Sequence, residues 1–119
     1  MEGVLAMPGL ERVREKFLGL LAERRSAIAL HTLAALDAHS PAETEAELLE
    51  AQNILHKIAG TAGSLGFDTL GNEARASEEA IIATLQNFSS ANLLPLIEQL
   101  DVFVGMCGDL LTVKSDRTG

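Results

Sequence analysis

The chain has 119 residues and a mass of 12.6 kDa, enough for one domain with its own core and too little for two. Seventeen acidic residues against nine basic ones give a net charge of -8, which repels phosphate backbones and sets nucleic acid aside as a partner. Cys107 is the only cysteine, so an internal disulfide and a cysteine-based zinc cluster are excluded, and it reads as a small buried hydrophobe. The sequence has neither a run of eighteen apolar residues nor a basic-then-apolar leader, so the expectation is a cytoplasmic protein with no membrane association.

Alanine, leucine and glutamate dominate, aromatic residues are 3%, and β-branched runs are missing, so the chain reads as all-α. The first helix is predicted from about Leu10 to Ala38, with Leu10, Val13, Phe17, Leu20 and Leu21 at spacings of three and four. Its apolar phase slips near Arg24 to Ser26, through either a bend or a change of packing partner. The second helix opens on Ser40-Pro41-Ala42-Glu43, a capping box with Pro41 at the first helical position, and runs to about Leu65. Gly66 can take the left-handed conformation that ends a helix, and Asp68 can cap a third helix reaching about Leu85. Asn87 to Ser90 is the next turn. The fourth helix, about Ala91 to Leu111, places Leu93, Ile97, Leu100, Val104, Cys107 and Leu111 on one stripe. Leu96, Phe103 and Leu110 are left over, free to hold the first residues of the chain or a second copy, so the protein is expected to be a monomer or weak dimer. Short connections make consecutive helices antiparallel neighbours. The predicted architecture is an up-down-up-down four-helix bundle over residues 1–119, with poorly ordered ends at 1–9 and 114–119 and room for a short extra N-terminal helix.

His56 opens the stretch HKIAGTAGSLGF, residues 56–67, where Ala59, Gly60, Ala62 and Gly63 keep bulk away from one imidazole. Glycine inside a helix costs roughly 1 kcal/mol against alanine, so two of them point to something approaching this backbone closely. At 100° per residue the stripe Leu48, Ala51, Leu55, Ile58, Ala62 and Leu65 is the buried face, and His56 lies roughly 130° from its centre, in solvent. Leu49, Gln52, Ala59, Gly60 and Gly63 share its face. A lone helical histidine is by default an ordinary surface or satisfied core residue, and these neighbours are what single this one out.

An antiparallel hairpin turning near Phe67 sets residues equally far from the turn at one height: His56 lies eleven before it and Glu78 eleven after. Glu78 falls about 60° off the stripe Leu70, Ala74, Ser77 and Ile81, on a flank that can face the second helix. A carboxylate accepting the Nδ1 proton fixes the tautomer, leaves the Nε2 lone pair free to attack, and stabilises the cation formed in transfer. The plainer alternative is a solvated acid beside Glu79. By the same count Arg75, eight after the turn, sits beside Ala59, eight before it.

With these residues in place, the chain resembles the histidine-containing phosphotransfer (HPt) domain of two-component phosphorelays. The resemblance covers most of the chain. His56, Gly60 and Gly66 match the family's phosphorylatable histidine, the glycine four residues on and the glycine that ends the helix. Glu78 falls where the family carries a polar residue that hydrogen-bonds the histidine. The family's lysine three residues after the histidine is Ala59 here. Lys57, about 100° round the helix with a stem able to reach back, and Arg75 are the candidate partners for phosphoryl charge in its place. The resemblance implies reversible phosphoryl transfer between Nε2 of His56 and an aspartate of a partner receiver domain. The implied partners are response-regulator receiver domains and a hybrid sensor kinase. The chain would hold no cofactor or metal of its own, magnesium being expected in the receiver. No glycine-rich phosphate loop or nucleotide motif is present, so no ATP-dependent kinase activity is expected. The docking surface would comprise Leu49, Gln52, Asn53, Ala59, Gly60, Gly63 and Ile82.

Two other classes compete. A helical adaptor that binds a receiver or kinase without carrying phosphate would have the same bundle and exposed rim, and is the alternative. A di-metal carboxylate bundle needs Glu-x-x-His on two helices, yet Ile28, Leu36 and Asn53 precede His31, His39 and His56 by three residues. His31, among alanines and leucines, reads as packed or half exposed, and His39 as favouring a helix C-terminus through its dipole.

Overall fold

In the computed structural model the backbone of residues 8–118 and the side chains of residues 9–112 are described. The described residues form four helices: α1 (Pro8–Asp37), α2 (Pro41–Ala62), which continues into a 3-10 turn (Gly63–Leu65), α3 (Asp68–Gln86) and α4 (Ser90–Thr118), and capping chemistry sets both ends of α2. Ser40 Oγ accepts the Glu43 N–H at 3.2 Å, and Glu43 Oε1 accepts the His39 N–H at 2.8 Å, one residue before the cap itself. At the other end of α2, Gly66 has φ 90°. The N–H groups of Gly66 and Phe67 bond the carbonyls of Gly63 and Ala62 at 3.1 and 2.9 Å, a Schellman closure that needs glycine at its left-handed position. Arg14 of α1 donates its Nε–H to the Leu65 carbonyl at 2.9 Å and occupies an exposed carbonyl of the same turn. Asp68, expected as the cap of α3, is instead its first helical residue. Phe67 takes the cap position, where its ring stacks on Phe17 at a 5.2 Å centroid separation, and no side chain caps the helix.

Each helix packs on the next, and α4 closes back on α1, giving an all-α four-helix bundle. In α1 the expected stripe is corrected. Val13 and Leu20 are exposed, while Phe17, Leu21, Ile28, Thr32 and Ala35 form the buried line. That line keeps spacings of three and four if Arg25 is counted in it, so the apparent slip at Arg24 to Ser26 is a polar residue occupying a seam position. Arg25 satisfies itself by donating Nε–H to the Val104 carbonyl at 2.9 Å, and Thr32 by donating to the Ile28 carbonyl at 2.7 Å. In α4 the apolar residues left over by the sequence pattern include core: Leu96 and Phe103 are buried with Leu100 and Cys107, while Leu93, Ile97, Val104 and Leu111 are half-buried flanks. α4 touches both α1 and α3, so its buried arc is wider than one stripe and is centred between the two sets. Leu96 and Phe103 are thus not available to a second copy. Cys107 is the small buried hydrophobe expected. Burial pushes its thiol up to about 11, and the nearby Arg25 cation pulls the other way.

α4 continues past its expected end at Leu111 to Thr118. Of the ends expected to be poorly ordered, and of the short extra N-terminal helix, residues 1–7 and Gly119 lie outside the described residues. No helix among the described residues is long and apolar enough to cross a membrane.

Candidate functional site

Register between α2 and α3 builds the site. The two helices approach so closely near their turn that a methyl group on Gly71 would already touch Ala62 Cβ and the Gly63 nitrogen at 3.4 Å. Sequence reasoning passed over Gly71. Its signal was the matched count, four residues after Phe67 against four before it for Gly63, which marks where two backbones meet. About two turns of helix further from the turn on each side, the same register brings His56 and Glu78 together.

His56 Nδ1 and Glu78 Oε2 are 2.9 Å apart, with the ring 73% exposed and the carboxylate only 14% exposed. A carboxylate accepts only, so Nδ1 carries the proton and donates it, and Nε2 is left as the unprotonated nitrogen of the neutral ring. Nε2 makes no hydrogen bond among the described residues. The pair can therefore present a lone pair to an incoming electrophile, with a fixed anion behind the ring to offset the positive charge that bond formation would create.

A shallow depression at the ring is lined by Leu49, Gln52, Asn53, His56 and Glu78. Leu49 stands half exposed in its lining, Gln52 is half buried, and Ile82, exposed one turn after Glu78 on α3, is not among the residues that line it. Gly60 and Gly63 are exposed, and a side chain begun at either would meet nothing within 4 Å. No contact among the described residues requires glycine there; the space they leave is on the outer surface, beside the ring. Ala59, counted into that surface from the sequence, belongs elsewhere. It is buried in the core, because α3 crosses α2 on the Ala59–Ala62 side.

The expected charge partners divide. Lys57 is exposed on the side of α2 away from α3. Arg75 is exposed, and the register set by the His56–Glu78 and Gly63–Gly71 contacts puts it level with Ala59, on the flank of α3 that carries Glu78. Neither residue makes a hydrogen bond or ion pair among the described residues, so Arg75 is not held by Glu78 or Glu79. No group of three or more metal-ligating side chains occurs among the described residues. Compared with known proteins, the chain matches no family model, no curated protein and no solved structure. The fold and site thus define a four-helix bundle that displays one solvent-facing, carboxylate-oriented histidine.

Proposed function

We propose that this chain is a phosphocarrier of the HPt kind, accepting a phosphoryl group on His56 from the aspartyl phosphate of a receiver domain and returning it to another. The observation that carries the reading is the His56–Glu78 pair, in which an exposed imidazole is oriented through Nδ1 by a mostly buried carboxylate 2.9 Å away.

In acceptance, the Nε2 lone pair forms the N–P bond while the P–O bond to the donor aspartate breaks, and the aspartate leaves as a carboxylate. The ring becomes a phospho-imidazolium that keeps its Nδ1 proton on Glu78, and donation runs the same steps backwards. The transition state of such transfers is loose, so positioning and charge do most of the work. The protein's share is an immobilised ring and an uncrowded approach past Gly60 and Gly63. The receiver would supply magnesium and the acidic pocket, and a hybrid sensor kinase the phosphoryl group.

Incubating the chain with a phosphorylated receiver domain tests this directly. Acid-labile, base-stable label on the wild type and none on His56→Gln is the expected result. Receiver binding without label on the wild type would leave the non-phosphorylated adaptor as the function.

A further inference from the structure

The charges of this chain are sorted by place. Residues 26–56 and 76–104 contain nine acidic residues and no lysine or arginine. In the antiparallel bundle these stretches meet: they are the last three turns of α1, most of α2 before His56, the second half of α3 and the first half of α4. The basic residues lie in the remaining stretches: Arg12, Arg14, Lys16, Lys57 and Arg75 nearer the 3-10 turn, and Arg24 and Arg25 near the middle of α1, where Arg25 meets Val104 at the inner end of the acidic stretch. One end therefore presents an unbroken negative field.

That end also exposes an apolar groove. Ala29, Thr32 and Leu33 of α1 line it with Ile97, Leu100 and Val104 of α4, and Glu98 and Asp101 stand on its rim. Leu33 in its lining is 58% exposed, and Leu94, one turn before Ile97 and Glu98 on α4, is 59% exposed. Its floor offers no unsatisfied polar group, since the Thr32 hydroxyl is bound to the Ile28 carbonyl, and the Arg25–Val104 bond fastens α1 to α4 beneath it.

The occupant follows from charge. A second copy would bring the same acidic rim against itself, and like charges across an interface are costly. A groove between two helices takes a third helix through apolar anchors at spacings of three and four. We propose that the α1/α4 groove docks a basic amphipathic helix of another protein. Its apolar side lies over Leu33, Ile97 and Leu94, and its lysines or arginines reach Glu98, Asp101 and Asp37. This does not rest on the phosphocarrier reading. His56 lies on the α2/α3 side, so both surfaces can be engaged at once.

The test uses the whole chain and, as probe, a helical peptide of about 18 leucines and lysines with leucine at every third and fourth position. A peptide of the same composition in scrambled order, and a leucine–glutamate peptide, are the controls. Amide shifts should concentrate in residues 29–37 and 93–104, and affinity should weaken as salt rises. The pair Leu33→Ser with Leu94→Ser, and the pair Glu98→Lys with Asp101→Lys, should each weaken binding about tenfold or more. All four positions are exposed, and an unchanged helical signal and melting temperature would verify that each variant is folded. Equal binding of the scrambled peptide, or shifts centred on His56 or spread over the whole acidic surface, would overturn the proposal. So would a peptide-free dimer that Leu33→Ser with Leu94→Ser dissociates, because the occupant would then be a second copy.

Discussion

Two histidine–carboxylate pairs tie neighbouring helices, His31 to Glu47 between α1 and α2 and His56 to Glu78 between α2 and α3, and they differ in how their two members are exposed. The bond lengths scarcely differ, 2.7 Å and 2.9 Å, both through Nδ1. In the first pair, ring and carboxylate are similarly shielded, at 30% and 35% exposure; in the second the ring is 73% exposed and the carboxylate 14%. A His–Glu bond by itself is thus an inter-helix tie. It becomes a presented nucleophile only where the ring stands in water, the carboxylate is held in the protein, and the neighbouring surface is open. Exposed glycines stand four and seven residues after His56, whereas at the same offsets from His31 stand Ala35, buried, and Ala38, half-buried.

The phosphocarrier proposal makes this difference functional, and substitution can break the comparison. The largest effect belongs to the rings. His56→Gln should abolish acceptance of label from a phosphorylated receiver, and His31→Gln should leave it within about twofold, with circular dichroism near wild type for His56→Gln because an exposed site contributes little to stability. Label lost in His31→Gln and kept in His56→Gln would invert the assignment.

Next comes the open surface beside the second ring. Gly60→Leu should slow transfer by roughly tenfold to a hundredfold by displacing the incoming domain, since small misplacements of reacting groups are costly. Gly60→Ala, with nothing for its methyl to strike, should instead raise stability by up to about 1 kcal/mol. Melting temperature and transfer rate therefore part company at this position; normal transfer by Gly60→Leu would show that no close approach occurs there.

The carboxylates give a smaller contrast. Glu78→Ala should slow acceptance about tenfold while His56 still becomes labelled, because the productive tautomer is then less favoured and not forbidden. Glu47→Ala should leave acceptance unchanged. Equal rates for Glu78→Ala and wild type would reduce the second pair to a tie like the first. The smallest effect expected is that of the free cations. Arg75→Ala should shorten the phosphohistidine lifetime by about a few-fold and Lys57→Ala should not, since only Arg75 stands on the flank of α3 that carries Glu78. The reverse ranking would give the role to Lys57.

Much of this was legible along the chain. Local chemistry acts over a few residues, so Ser40, Pro41, Glu43 and Gly66 marked the ends of α2 before any packing was known. Counting from the turn at Phe67 sufficed to pair His56 with Glu78, because a tight antiparallel hairpin leaves little freedom of register. What failed were judgements about which apolar residues face inward. Val13 and Leu20 fit the helical spacing as well as the true seam does, and Leu96 and Phe103 were set aside although α4 buries them. A stripe in one helix does not reveal how many neighbours the helix has, and α4 has two.

The sequence by itself determined the all-α class, the four helices, and the placement of a histidine and a carboxylate at one height, since these follow from spacing and capping within a short span. Only the tertiary structure decided that Ala59 turns into the core, that Arg25 and Thr32 belong to the α1 seam, and that Glu78 is shielded behind the ring of His56 and not a solvated acid. Those outcomes depend on how closely helices far apart in sequence pack, and on which carbonyls they leave for a half-buried polar group to bond. No single helix encodes that.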